Sequence, residues 1–208
     1  MLKLTQYFLR SFRPLLNSWI TRFVYFGSNV TIGENFRTDS IPKIIIDPAC
    51  QLHIGDHVEF RRSVEIRVHG TAQIFIGNKT RIDRGVRLLA ANSAKIDIKD
   101  GVRIGLYSVL NGGDSITIGN KALVSGFVYL QTSMHGYASK DQAVQDQGYD
   151  HAPVVLEEDV WLGTHVVVLP GITIGKGSVV GSNAVVTKNI EQYQVVAGIP
   201  AKPLKDRK

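Results

Sequence analysis

The chain has 208 residues, 44% of them hydrophobic and 20% charged, with 24 Lys and Arg against 18 Asp and Glu. This length and composition predict a folded chain with its own core and exclude a mostly disordered one. The single cysteine, Cys50, excludes an internal disulfide framework and a cysteine-rich zinc site, so we expect a reducing, cytoplasmic setting.

Residues 1–28 predict a helical extension. Apolar side chains recur there at the spacing of one helix face, at Leu4, Phe8, Phe12, Leu15, Trp19 and Phe23. We expect Pro14 to kink or split the helix. The cations that precede the first acidic residue, Glu34, are Lys3, Arg10, Arg13 and Arg22. The extension is either a cap over the edge of the next domain, which we favour, or a basic helix in peripheral contact with an anionic membrane.

A repeat follows, and it decides the predicted fold. Segments such as Leu52-His-Ile-Gly55 recur, with their isoleucines 22, 22, 22 and 20 residues apart at Ile32, Ile54, Ile76, Ile98 and Ile118. Within each step an apolar residue returns every six positions. The same period runs without interruption through Leu156, Leu162, Val168, Ile174, Val180 and Val186. Neither an α-helix nor one long strand has this period.

The period predicts an all-β solenoid of triangular coils, each with three short strands. The apolar residue of each hexad should point inward, and so should a small or β-branched residue four positions on. The residues at this second position are Val58, Thr80, Val102, Val160, Val166, Ile172, Ser178 and Ala184. Gly163, Gly175 and Gly181 should lie where a Cβ would clash. An antiparallel β-sandwich is the disfavoured alternative, because its strands are irregularly spaced.

Residues 131–153 interrupt the period as an inserted loop. They fall at the corner where the earlier coils carry four extra residues, and they are rich in polar and aromatic side chains. Long loops on rigid scaffolds commonly carry function, so we expect this insertion to form part of a site.

The second block resembles a known family. Residues 154–175, with their Trp161-Leu-Gly163 motif, and the closing segment Val195–Lys202 are similar to the hexapeptide-repeat acyltransferases. The likeness is strongest to galactoside and maltose O-acetyltransferases and to sugar O-acetyltransferases of colanic acid, capsule and O-antigen synthesis. It implies a left-handed parallel β-helix over residues 29–208, with a C-terminal cap at 190–208.

The resemblance also implies an activity. It predicts an acetyl-CoA-dependent O-acetyltransferase that acts on a saccharide hydroxyl in surface polysaccharide biosynthesis, forms a homotrimer and needs no metal. The Met134-His135-Gly136 segment resembles the catalytic element of the family, which makes His135 the candidate general base. A histidine in a loop is otherwise more often an ordinary surface residue. Neutral imidazole suits the role, because its pKa of about 6.5 leaves it mostly unprotonated at pH 7.

Further polar residues are placed near this histidine. Asn111 and Gln131 occupy equivalent positions of successive coils, which should lie about 4.8 Å apart. The Asn111 amide could orient the acceptor or stabilise an oxyanion, or Asn111 could simply form a turn with the two glycines after it. Candidate sugar-binding residues are Tyr149, Tyr137 and Asp114.

The resemblance implies that acetyl-CoA lies along the C-terminal coils. The residues that match its binding positions are Thr164, Ser182, Thr187, Lys202 and Lys205. The two lysines would contact phosphates as point charges rather than as bidentate forks. A solvated basic tail is the other interpretation of this segment.

Other functions remain as alternatives. The sequence is also compatible with an antibiotic O-acetyltransferase of the same fold and with a non-catalytic β-helical binding scaffold. The γ-class carbonic anhydrases are disfavoured, because His135, His151 and His165 are too widely spaced for their metal site. Nucleic acid is disfavoured as a partner, because the chain has no matching motif.

Overall fold

A computed structural model describes Thr5, Gln6, Phe8 and residues 12–208. Short strands wind through three parallel sheets in turn, and each sheet forms one face of a prism of about seven coils. Equivalent residues of successive coils pair in register, as Ile54 does with Ile76 and Ile98 with Ile118. The predicted left-handed parallel β-helix is confirmed.

The strands are numbered in chain order, and the three faces are called A, B and C. Face A contains β1 (Val30–Ile32), β4 (Gln51–Ile54), β7 (Gln73–Ile76), β10 (Lys95–Ile98), β13 (Ile116–Ile118), β18 (Val154–Leu156) and β21 (Thr173–Ile174). Face B contains β2 (Arg37–Thr38), β5 (Glu59–Phe60), β8 (Arg81–Ile82), β11 (Arg103–Ile104), β14 (Leu123–Val124), β19 (Trp161–Leu162), β22 (Val179–Val180), β24 (Gln194–Ala197) and β25 (Lys202–Asp206). Face C contains β3 (Lys43–Ile46), β6 (Glu65–Val68), β9 (Arg87–Ala90), β12 (Val109–Gly112), β15 (Tyr129–Gln131), β20 (Val167–Val168) and β23 (Val185–Val186).

The interior of the prism is the hydrophobic core. From Ile54 onward the apolar residue of each hexad is buried, as Ile76, Ile82 and Leu88 show for one coil. All eight residues predicted to share the interior, from Val58 to Ala184, are buried as well. Each buried aliphatic side chain contributes about 1.5–3 kcal/mol, so every coil is stabilised by its neighbours.

Glycines lie where successive coils approach most closely. A Cβ on Gly163 would be 2.6 Å from the backbone nitrogen of Ser182, and one on Gly175 would be 2.5 Å from that of Gln192. The turns themselves are made two residues further on, at the positive φ angles of His165 and Gly177. Close approach of the next coil, rather than the turn conformation, therefore requires these glycines.

Two edges of the prism matter for function. The chain passes from face B to face C at the BC edge, which includes residues 125–128, 163–166 and 181–184. It passes from face C to face A at the CA edge, where the insertion leaves the prism between β15 and β18.

Helix α1 (Arg13–Val24) packs on the first coil through small and polar side chains. The Ser18 hydroxyl accepts a hydrogen bond from the Thr38 N–H at 3.1 Å, and the Asn17 amide donates to the Asp39 carbonyl at 2.8 Å. These bonds satisfy backbone groups at the end of face B. Pro14 lies in the first turn of the helix, where no intrahelical hydrogen bond is lost.

The apolar side of α1 faces outward. Leu15, Trp19 and Phe23 are 52%, 66% and 73% exposed, and Phe26 beyond the helix is also exposed. The apolar stripe that the sequence indicated is therefore not the surface that contacts the first coil. Leu4 of the predicted stripe and the cations Lys3 and Arg10 of the extension lie outside the described residues. No helix within the described residues is long and apolar enough to cross a membrane.

Candidate active site

His135 lies on a β-hairpin that the insertion forms at the CA edge. β16 (Ser133–His135) pairs antiparallel with β17 (Tyr149–His151), and His135 is directly opposite Tyr149. Their ring centroids are 4.1 Å apart, so Tyr149 supports one side of the imidazole. The ring is exposed, and no group among the described residues hydrogen-bonds to it. Both ring nitrogens are therefore available to a substrate.

The root of this hairpin is seated on Gly113. A Cβ at this position would overlap the Ser133 hydroxyl and lie 3.0 Å from His151 Nδ1. Ser133 Oγ and His151 Nδ1 are themselves 2.8 Å apart, so they hydrogen-bond directly above the glycine. The Asn111-Gly-Gly segment is therefore both a turn and the support of the hairpin.

Asn111 and Asp114 lie beneath the hairpin. Asn111 pairs with Gln131 of the next coil, as the coil spacing predicted, and is half-buried. Its carbonyl accepts a hydrogen bond from the Thr132 hydroxyl at 2.7 Å, whereas its side-chain amide has no partner among the described residues. The Asp114 carboxylate accepts from the Ser115 N–H at 2.6 Å. Of these two side chains, the Asn111 amide is therefore the one without a hydrogen-bond partner among the described residues.

The far end of the insertion is closed by Gln147. Its amide donates to the carbonyls of Ser139 and Gln142 at 2.9 and 2.8 Å and accepts from the Ser139 N–H at 2.9 Å. Tyr137 is 70% exposed, and its ring meets no other aromatic ring among the described residues. The structure thus brings Tyr149, but not Tyr137, against His135.

Two of the predicted acetyl-CoA residues lie on the BC edge. Thr164 donates to the Gly126 carbonyl at 2.8 Å, and Ser182 is exposed one coil further on. Thr187 directly follows β23 and therefore lies at the CA edge instead. The predicted donor residues are thus not one continuous set.

Lys202 and Lys205 lie on β25, which folds back antiparallel to β24. Arg207 fixes this return, since its guanidinium is 2.9 Å from an Asp159 carboxylate oxygen and donates to the Gly177 carbonyl. The C-terminal segment therefore forms a strand, and its residues Lys202–Asp206 are exposed to solvent.

A groove of about 1120 Å³ lies between β25 and the rest of face B. Lys205 and Trp161 line it, and Trp161 is 47% exposed while its indole N–H donates to Ser125 Oγ at 3.2 Å. Sequence reasoning did not include Trp161 among the candidate site residues. Its outward position in the hexad, two residues before the motif glycine Gly163, was the available signal.

Within one chain the predicted residues form two groups. His135, Asn111 and Tyr149 lie at the CA edge, whereas Thr164 and Ser182 lie at the BC edge. A full face of the prism separates the two edges. No three His, Cys, Asp or Glu side chains among the described residues are arranged to hold a metal ion.

Sequence comparisons agree with the repeat. Residues 153–188 match the family model described as bacterial transferase hexapeptide (six repeats). A chloramphenicol acetyltransferase of Klebsiella aerogenes is 37% identical over 118 residues, which are 53% of this chain and 54% of that protein. Galactoside O-acetyltransferase of Escherichia coli K12 is 34% identical over 92 residues, 44% of each chain. The chain spans about half the length of the curated relatives it matches.

Comparison with solved structures shows the same fold over most of the chain. The N-acyltransferase AntD of Bacillus cereus, solved as a D94A mutant with dTDP and coenzyme A, has a TM-score of 0.64. It is 21% identical, and the match covers 90% of this chain and 88% of AntD. The resemblance to hexapeptide-repeat transferases that the sequence predicts is therefore confirmed.

Proposed function

We propose that the chain is an acetyl-CoA-dependent O-acetyltransferase whose acceptor is a saccharide hydroxyl in surface polysaccharide biosynthesis. The observation that carries the proposal is the exposed imidazole of His135, supported by Tyr149 on a hairpin that the rigid prism holds in place. The likeness to galactoside O-acetyltransferase supports a sugar acceptor.

In the proposed reaction His135 acts as a general base. Its neutral imidazole takes the proton of the acceptor hydroxyl while that oxygen attacks the thioester carbonyl carbon. The C–S bond then breaks, and the imidazolium returns its proton to the departing thiolate. The free Asn111 amide would orient the acceptor or donate to the oxyanion, and Tyr149, Tyr137 and Asp114 would contact the sugar. General base catalysis contributes about 10²- to 10⁴-fold.

We propose that acetyl-CoA lies along the BC edge and the groove on face B. Thr164 and Ser182 would contact the pantetheine arm, and Lys202 and Lys205 would contact the phosphates as point charges. Thr187 fits this site only if the donor also reaches the CA edge of a chain. The binding of coenzyme A by AntD, a protein of this fold, supports a donor of this type.

We further propose a homotrimer. The catalytic and donor groups lie on different edges of one prism, so a complete site needs the CA edge of one copy beside the BC edge of the next. A closed cyclic arrangement supplies three such sites. Sedimentation velocity should give a species of three times the chain mass, and a fully active monomer would contradict the arrangement.

The decisive experiment is an assay of thiol release from acetyl-CoA with sugars and chloramphenicol as acceptors. We expect release with sugars and a loss of at least 100-fold in kcat for His135→Ala. His53→Ala, at an exposed position on face A, is the matched control. Release with chloramphenicol alone would favour the antibiotic alternative, which the Klebsiella relative supports. A folded, inactive protein that still binds saccharide would favour the scaffold.

The outward face of α1 supports peripheral contact with an anionic membrane. Leu15, Trp19 and Phe23 would enter the interface, and the cations around them have no acidic neighbour in the sequence before Glu34. Flotation with phosphatidylglycerol vesicles should recover the wild-type chain but not Trp19→Ser/Phe23→Ser, and equal recovery would refute the contact. A cytoplasmic location stays a prediction from the sequence.

A further inference from the structure

A second histidine lies on the same face of the hairpin β16–β17 as His135. In an antiparallel pair of strands, residues that are directly opposite each other point to the same side, and so do alternate residues of one strand. Ser133 is opposite His151, and His135 is opposite Tyr149, so these four side chains share one face. His135 and Tyr149 have roles in the proposed reaction, whereas His151 has none.

The three rings on this face are close neighbours. The centroids of His135 and Tyr149 are 4.1 Å apart, and those of Tyr149 and His151 are 6.1 Å apart with their planes at 19°. His135 and His151 are diagonal neighbours of the ladder, and such residues are about 7–8 Å apart. This separation is comparable to the width of a sugar ring with its hydroxyl groups. A sugar with one hydroxyl at His135 can therefore present another hydroxyl to His151.

His151 is held at the root of the hairpin, where the insertion joins the prism. Its Nδ1 is 2.8 Å from Ser133 Oγ, and the two groups lie directly above Gly113. The next residue, Ala152, donates its N–H to the carbonyl of the buried Thr132 at 3.0 Å. A polar group that a rigid scaffold holds in place binds a ligand with little further loss of side-chain freedom. The position of His151 therefore suits a binding residue.

The second ring nitrogen of His151, Nε2, is free to bind a ligand. The ring is exposed, and no group among the described residues hydrogen-bonds to Nε2. In a neutral imidazole Nε2 donates a hydrogen bond when Nδ1 accepts one, and Nε2 accepts when Nδ1 donates. A sugar hydroxyl both donates and accepts, so it matches Nε2 in either tautomer. The chemistry of this nitrogen therefore suits a hydroxyl group of the acceptor.

We propose that His151 is an acceptor-binding residue whose Nε2 hydrogen-bonds to a second hydroxyl of the sugar, separate from the hydroxyl that His135 deprotonates. The inference rests on the proposed function and adds a determinant of acceptor specificity. The hydrogen bond forms equally in the ground state and in the transition state, so it lowers the KM of the acceptor and leaves kcat unchanged. Acceptors that lack the second hydroxyl are disfavoured for this reason.

The test compares two substitutions that keep different parts of the imidazole. The amide of Asn reaches the position of Nδ1 and keeps the bond to Ser133, whereas the amide of Gln reaches the position of Nε2. The acceptor in the thiol-release assay is the methyl glycoside of glucose, galactose, mannose or N-acetylglucosamine that the wild type uses best. His151→Asn should raise its KM about threefold to tenfold, with kcat and the KM for acetyl-CoA unchanged. His151→Gln should stay within about twofold of the wild type in all three constants.

Monodeoxy analogues of the same glycoside identify the hydroxyl that His151 contacts. One analogue should lose about threefold to tenfold in kcat/KM with the wild type and nothing with His151→Asn, since the contact is already absent there. His53→Asn is the matched control and should change neither constant. His53 Nδ1 likewise lies 2.7 Å from a hydroxyl, that of Thr31, and the ring centroid of His53 is 6.3 Å from that of Phe75.

Four results would overturn the inference. The first two are an unchanged acceptor KM in His151→Asn and an equal rise in His53→Asn. The third is a rise in His151→Gln at least as large as that in His151→Asn. The fourth is a loss of kcat in both His151 variants with faster proteolysis within residues 131–153, which would make His151 a support of the hairpin only. Thiol release with an unchanged KM in His151→Asn refutes this inference alone, whereas no release with any glycoside refutes the proposed function and this inference with it.

Discussion

Gly113 provides a test of how the prism positions the catalytic hairpin. In Gly113→Ala the new methyl group overlaps the Ser133 hydroxyl, which is the free end of a side chain and can rotate away. The rotation breaks the hydrogen bond to His151, a cost of about 0.5–1.5 kcal/mol. The lower entropy of the unfolded chain offsets about 0.4–1 kcal/mol of this. Stability should therefore change by less than about 1 kcal/mol.

Activity should respond more strongly than stability. A shift of the hairpin root moves His135, and a displacement of about 1 Å can cost 10²-fold in rate. We expect kcat/KM in the thiol-release assay to fall at least tenfold. In Gly113→Ala/Ser133→Ala the overlap with the hydroxyl is gone, so the double variant should match Ser133→Ala in activity. Its stability should equal or exceed that of Ser133→Ala by up to about 1 kcal/mol, because the unfolded chain still loses entropy.

Gly119→Ala is the matched control. There the methyl group would meet backbone atoms of Glu157 and Glu158 at 2.5 Å, which no side-chain rotation can relieve. Urea unfolding should show a loss of about 2–3 kcal/mol. The reasoning would be refuted if Gly113→Ala and Gly119→Ala lost equal stability. It would also be refuted if the activity losses of Gly113→Ala and Ser133→Ala added up in the double variant.

Three further predictions follow from specific contacts. Ser18→Ala leaves the Thr38 N–H without its partner, so stability should fall by about 1–3 kcal/mol and limited proteolysis should release α1 faster; unchanged cleavage would contradict the cap. Burial raises the pKa of Asp97, but hydrogen bonds from Lys99 and Lys95 outweigh this effect and hold the pKa below its usual range. The carboxylate therefore stabilises the fold above about pH 4, and this is lost as the pH falls through the folded pKa, so Asp97→Asn should flatten the acid limb of stability in urea titrations. Lys205→Gln should raise the KM for acetyl-CoA about threefold to tenfold with kcat unchanged in the thiol-release assay, whereas an unchanged KM would remove Lys205 from the phosphate site.

The repeat made the fold predictable, because each hexad repeats the same pattern of inward-facing residues. An inward apolar residue and a small or β-branched residue recur at fixed spacing along the chain, and stacking of successive coils buries the apolar positions from Ile54 to Val186. The same arithmetic placed Asn111 beside Gln131, a contact that the structure confirms.

Contacts that break the repeat were not predictable. The pairing of His135 with Tyr149 depends on how the insertion folds on itself, and the return of β25 depends on the ion pair between Arg207 and Asp159. These segments lie outside the six-residue repeat, so the repeat does not predict their contacts. Amphipathic spacing likewise indicated an apolar face on α1 but not which side would contact the prism, because hydrogen bonds to open backbone groups decided the packing.

The sequence by itself thus determined the coil, its interior and the position of the inserted loop, since these follow from local periodicity. Coil spacing predicted which positions are equivalent, but only the tertiary structure decided which of their side chains are in contact. Phe127 and His165 are far apart in sequence, yet their ring centroids are 4.8 Å apart. They are neighbours because the insertion leaves the prism between them and the chain then rejoins it, so that both residues lie on the BC edge of successive coils. The separation of His135 from Thr164 on different edges has the same origin, because three faces close a coil and only the folded prism shows which edge each residue occupies.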